Sequence, residues 1–134
     1  MNAELEAYVR NLVGAMNPIA VILYGSRARG DSKPSSDFDV IVIAESLPRF
    51  MDRWDLLYRH RTNIPLEPRG FTPEEFLKMI EECNPTALDA LYEGKVLLDR
   101  GFIQTAKAKF EEVSRRYKLR KKEGGWMALN PAGL

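Results

Sequence analysis

Val21-Ile22-Leu23-Tyr24-Gly25-Ser26-Arg27-Ala28-Arg29-Gly30 runs through Asp31-Ser32-Lys33-Pro34-Ser35-Ser36 into Asp37-Phe38-Asp39-Val40-Ile41-Val42-Ile43. The order is apolar strand, small-residue turn, basic turn, polar loop, and two carboxylates opening a second apolar strand. Both apolar runs are short and rich in branched residues, the pattern of strands buried on both faces. Gly25 lets backbone approach a ligand closely. If Ser26 opens a short helix, its hydroxyl and the free N–H groups face an anion. Arg27 and Arg29 follow, and guanidinium binds phosphate oxygens bidentately. Asp37 and Asp39 are two apart on one strand, so they share a face with a backbone advance of about 6.6 Å. Paired carboxylates suit a hard cation such as Mg²⁺. An anion-binding turn beside a divalent-cation site is what a nucleoside triphosphate requires.

Outward from this run, apolar residues at helical spacing predict a helix over residues 3–16, stopped by Asn17-Pro18. Pro48 opens a helix whose Phe50, Met51, Trp54, Leu57 and Tyr58 share one side; Trp54 and Tyr58 are expected to pack on the sheet. Two prolines flank Leu66-Glu67, so residues 64–71 read as an edge strand. A third carboxylate usually completes such a metal site, and Glu67 is the candidate because it lies on the next apolar segment and is framed by turn residues. Thr72-Pro73-Glu74-Glu75 spells a capping box with proline at the first helical position. Asn84-Pro85 starts another short helix, and Val96-Leu97-Leu98 a last short strand. A charged helix is expected from Ile103 to about Lys121, with Gly124-Gly125 ending it. The expected division is a domain over 1–123 and a C-terminal tail over 124–134. The fold class is therefore α/β (α+β), a small mixed β-sheet backed by helices.

Composition narrows the chemistry. With 134 residues, 45% of them hydrophobic, the chain has enough apolar material for one domain. Twenty basic and 19 acidic residues leave a net charge of +1, which points neither to nor away from nucleic acid. The basic run from Lys118 to Lys122 reads as a solvated helix end more than as a nucleic-acid surface. One cysteine and one histidine exclude a disulfide framework and Cys- or His-based metal sites. The start, Met-Asn-Ala-Glu-Leu-Glu, lacks an apolar run, and no stretch approaches a membrane span. The expectation is a soluble, cytoplasmic protein with no membrane partner. Its oligomeric state is open.

Gly25-Ser26-Arg27-Ala28-Arg29-Gly30 followed by Ser36-Asp37-Phe38-Asp39-Val40 resembles the signature of the polymerase-beta-type nucleotidyltransferase superfamily. Within it the chain is similar to the minimal nucleotidyltransferases. That resemblance implies the nucleotidyltransferase fold, with ATP as substrate and its triphosphate at Gly25 and Ser26. It implies Mg²⁺ at Asp37 and Asp39, with a third acid on a neighbouring strand. The family's third acid is often Asp within an alternating apolar stretch; here it is Glu67 between prolines. The resemblance further implies a small helical HEPN-type partner and an antitoxin role, with AMP transferred to a partner tyrosine. The alternative is a catalytically weak nucleotide-binding module that acts by binding its partner. A haloacid-dehalogenase-like phosphatase also uses Asp-x-Asp, but there the apolar strand precedes the acids. Here the apolar run follows them. An EF-hand loop lacks its glycine and glutamate after Asp39.

Overall fold

The computed structural model describes residues 2–134. Helix α1 (Ala3–Met16) is capped by Asn2, whose side chain accepts from the N–H groups of Glu4 and Leu5. Asn17 ends it in the left-handed region at φ 54°. Strand β1 (Ala20–Tyr24) is buried throughout. A single turn, α2 (Ser26–Arg29), and the polar loop lead to β2 (Phe38–Ile43). Helix α3 (Phe50–Tyr58) crosses over to β3 (Leu66–Phe71). Then come α4 (Pro73–Glu81), α5 (Pro85–Glu93), β4 (Lys95–Asp99), α6 (Ile103–Tyr117), β5 (Leu119–Lys122) and β6 (Gly125–Ala128).

The main sheet has the order β3-β2-β1-β4. β1 is antiparallel to β2 and β4, while β2 and β3 run parallel, as a strand pair joined by a helical crossover does. The sheet is mixed and helix-backed as expected, and β3 is the edge its prolines predict. Alternation sends Val21, Leu23, Val40 and Val42 to one face, where α1 and α3 bring Tyr8, Leu12 and Leu57. Ile22, Ile41 and Ile43 go to the other face, under Phe76, Ile80, Leu88 and Val113 of α4–α6. Across α1 and α3 the buried Tyr8 hydroxyl donates to Leu57 O at 2.9 Å. The capping box of α4 is present: Thr72 Oγ1 accepts from Glu75 N, and Glu75 Oε1 accepts from Thr72 N. None of the described helices is long and apolar enough to cross a membrane.

Three expectations are corrected. Helix α3 buries only Leu57, while Phe50, Met51 and Trp54 are 68%, 87% and 42% exposed. Trp54 stacks on Tyr58 instead of packing on the sheet. Helix α6 stops at Tyr117, because Lys118 adopts φ 50°, and residues expected to continue it form β5. The expected tail contains a strand that carries Trp126: β6 pairs with β5, Lys122 opposite Gly125, around Gly124 at φ 82°. Trp126 Nε1 and Lys121 Nζ both donate to Asp89 Oδ1 of α5, at 2.7 and 2.6 Å. Within the basic run Lys121 is anchored on a strand, while Lys118 at the cap of α6, Arg120 and Lys122 are exposed.

Candidate active site

Strand register builds the site. Tyr24 of β1 stands opposite Asp39 of β2, and Asp39 stands beside Glu67 of β3. Neighbouring strands are about 4.8 Å apart, so these three side chains form one row across the sheet. They lie on the face that carries Ile22, Ile41 and Ile43 further along. Asp37 precedes the strand with the same parity as Asp39, so it follows onto that face. Asp37 is exposed; Asp39 and Glu67 are half-buried.

The glycine turn touches the row directly. Gly25 has φ 73° and ψ −158°, a conformation essentially reserved for glycine. A Cβ placed there would sit 2.5 Å from Asp39 Oδ2. Close approach of backbone to the carboxylate is the reason glycine stands here. Ser26 opens α2, whose first bond is Ala28 N–H to Gly25 O at 3.1 Å. The N–H groups of Ser26 and Arg27 therefore have no intrahelical acceptor.

The two arginines part company. Arg27 turns to the polar loop, donating from Nε to Ser36 O at 3.2 Å and from Nη2 to Ser36 O and Pro34 O at 2.9 and 3.1 Å. Its Cζ lies 4.3 Å from the centre of the Phe38 ring. In this conformation it holds the loop that delivers Asp37 and is not aimed at the acids. Arg29 donates to Asp31 Oδ2 at 3.0 Å and Glu93 Oε1 at 3.1 Å, and its charge still reaches Asp39. The sequence reading passed over Arg69. It lies two residues after Glu67 on β3, hence on the same face, and it is the strongest nearby positive charge acting on Asp39 and Tyr24. Alternation along β3 carried that signal.

Burial pushes the Asp39 carboxyl above the usual carboxylate range; Arg69 opposes this, Asp37 and Glu67 add to it, and Arg29 opposes it. Burial likewise pushes the Tyr24 hydroxyl up to about 12, so it stays a neutral donor beside the acids. Asp37, Asp39 and Glu67 form no ion pair among the described residues. Nor do any three His, Cys, Asp or Glu side chains among the described residues converge as a ready-made metal cage. The donor set nevertheless fits a hard cation: spare carboxylates, one of them costly to ionise, gain most from a nearby positive charge.

Known proteins resemble the chain in sequence and in fold. A Methanocaldococcus jannaschii protein named as a candidate protein adenylyltransferase, MJ1305, is 35% identical over 94 residues. The match takes in 61% of this chain and 59% of that one, so the chain spans about three fifths of the relative's length. Among solved structures, a toxin–antitoxin with AMP-PNP superposes with TM-score 0.56 at 16% identity, over 87% of this chain and 88% of that one. A variant of the toxin–antitoxin MntA-HpeT gives TM-score 0.58 at 15% identity, over 87% and 88% of the two chains. At such identities these likenesses speak for the fold. Residues 6–101 match the family described as "Polymerase beta, Nucleotidyltransferase", and the chain belongs to that family.

Proposed function

We propose that the chain is a Mg²⁺-dependent nucleotidyltransferase that moves AMP from ATP to a hydroxyl acceptor. The acceptor in this reading is a tyrosine of a small helical HEPN-type partner, and the role is that of an antitoxin. The observation that carries the proposal is the acid row with the Gly25 backbone pressed against Asp39. Family membership, the relative's name, and the toxin–antitoxin neighbours, one with AMP-PNP, support it.

Asp37, Asp39 and Glu67 would hold Mg²⁺, which when bound screens phosphate charge and favours ionisation of the acceptor hydroxyl. Gly25 and Ser26 receive the triphosphate on backbone N–H groups, so no side chain has to be desolvated to bind it. Arg29 lies on the same turn, and exchanging Glu93 for phosphate lets it offset charge on the leaving pyrophosphate. Arg27 acts at one remove by fixing the loop before Asp37. The acceptor oxygen bonds to the α-phosphorus, the α–β bridging bond breaks, and its electron pair leaves with pyrophosphate. In the alternative form of this reading Glu67 serves as base instead of metal ligand and takes the acceptor proton.

The test uses labelled ATP, Mg²⁺ and the product of the neighbouring gene. Label appears on the partner with the wild type and falls by at least about a hundredfold in Asp37→Asn and Asp39→Asn. A stable complex that carries no label, whichever variant is used, decides for the pure binding module instead.

A further inference from the structure

For Arg29 to reach phosphate it must leave its two carboxylates, and the cost falls unequally. The partners are Asp31 Oδ2 at 3.0 Å and Glu93 Oε1 at 3.1 Å. The Asp31 side chain is 61% exposed, so water replaces the guanidinium there at little cost. The Glu93 side chain is only 19% exposed. It closes α5, where the helix dipole is negative and the last turn carries no basic residue. A carboxylate so placed is stranded when its cation departs.

A second cation stands beside it. Lys121 Nζ lies 3.8 Å from Glu93 Oε1, the same oxygen that Arg29 holds. Lys121 comes from β5, beyond the residues 6–101 that match the family. Its main contact is Asp89 Oδ1 at 2.6 Å, and its ammonium sits 5.4 Å from the centre of the Trp126 ring. Asp89 and Glu93 are four apart on α5, so the two carboxylates are neighbours on the helix surface. An ammonium carries three donors, which lets Lys121 keep Asp89 and take Glu93 as well. The network therefore has two arrangements. In one Glu93 holds Arg29; in the other Glu93 holds Lys121 and Arg29 is free for phosphate.

We propose that Glu93 is a positioning residue, a relay that holds Arg29 back from the empty nucleotide turn and passes to Lys121 when a triphosphate takes Arg29, so that the turn and the β5–β6 hairpin form one coupled unit. The proposal rests on the nucleotidyl-transfer reading above. Such coupling is reciprocal: what nucleotide binding adds to the hairpin, the hairpin returns as nucleotide affinity.

Two arms on the full chain test it. Without ligand, Arg29→Gln leaves Glu93 to Lys121. Amide hydrogen exchange in β5 and β6 should then slow about two- to fivefold relative to β1 and β2, the scale of one ion pair near the surface. Exchange that stays unchanged or quickens there overturns the relay. The second arm measures affinity for a non-hydrolysable ATP analogue with Mg²⁺ by calorimetry. Glu93→Gln releases Arg29 and should tighten binding about threefold, while Lys121→Gln removes the second partner of Glu93 and should weaken it about threefold. Lys121→Arg should keep the wild-type affinity within about twofold. In the Glu93→Gln background Lys121→Gln should have no effect, because no carboxylate is left to be stranded. Equal weakening by Lys121→Gln in both backgrounds makes Lys121 a direct phosphate ligand and overturns the proposal. So does an affinity that ignores Lys121, or a Glu93→Gln chain that binds more weakly. If the wild type does not bind the analogue, the nucleotidyl-transfer reading falls, and the relay stands or falls on the Arg29→Gln arm.

Discussion

At the scale of single residues, Gly25 couples the nucleotide turn to the metal acids. Its dihedrals exclude other residues at a cost of about 1–3 kcal/mol, and the missing Cβ is the space Asp39 uses. Gly25→Ala is therefore expected to lower stability by about 1–3 kcal/mol and to abolish labelling of the partner. Thermal unfolding and the transfer assay check the two halves; an active Gly25→Ala would show that the close approach is dispensable. The chemistry of Gly25 and of the Asp37–Asp39 pair was legible because each rests on residues within one short run. The direction of Arg27 was not. It is decided by carbonyls at Pro34 and Ser36 that present themselves only once the loop has folded back. Arg69 is legible in principle, since it follows Glu67 by two on an alternating strand, but Pro68 and Gly70 on either side of it mask the strand pattern.

At the scale of elements, tertiary context overrode periodicity in two places. Helix α3 packs its Leu57 over Gly70 of the edge strand, where a Cβ would come within 3.0 Å of Leu57 Cδ1. No described strand lies beyond β3, so apolar residues of α3 that lean outward find nothing to cover them. The end of α6 was misplaced because three of its last four expected residues, Lys118, Arg120 and Lys121, are basic, and charge carries no period. The strand pattern was present all the same: Leu119 is buried, Arg120 exposed, Lys121 half-buried and Lys122 exposed. The hairpin is held by Asp89, which accepts from Lys121 and Trp126, and by Trp126 packing edge-on against Phe110 and Tyr92. Asp89→Ala strands both donors, so unfolding stability should fall by about 1–3 kcal/mol, read by urea denaturation. Amide exchange of β5 and β6 should rise in step. A loss confined to a few tenths of a kcal/mol would mean that the aromatic contacts alone hold the hairpin.

At the scale of the whole molecule, two apolar layers clamp the sheet and its acid row projects where one layer ends. Among the described residues no charged side chain is fully buried, so the half-buried Asp39 is the place where function opposes stability. Its folded carboxyl ionises at higher pH than it would in the unfolded chain. Below both values the group is neutral in either state and costs nothing. As pH rises through the folded value, ionisation favours the unfolded chain, and the deficit persists at neutral pH. Asp39→Asn should consequently be more stable than the wild type at pH 7, and the advantage should vanish once pH falls below about 4. Mg²⁺ reverses the order. A ligand of the folded state stabilises by RT ln(1 + [L]/Kd), about 2.7 kcal/mol at a hundredfold excess over Kd, and only the wild type retains the carboxylate to claim it. Melting curves of both chains across pH, with and without Mg²⁺, test the whole chain of reasoning. Equal Mg²⁺ shifts in the two proteins would place the cation away from Asp39, and an Asp39→Asn variant less stable at pH 7 would show that its carboxylate is a structural asset.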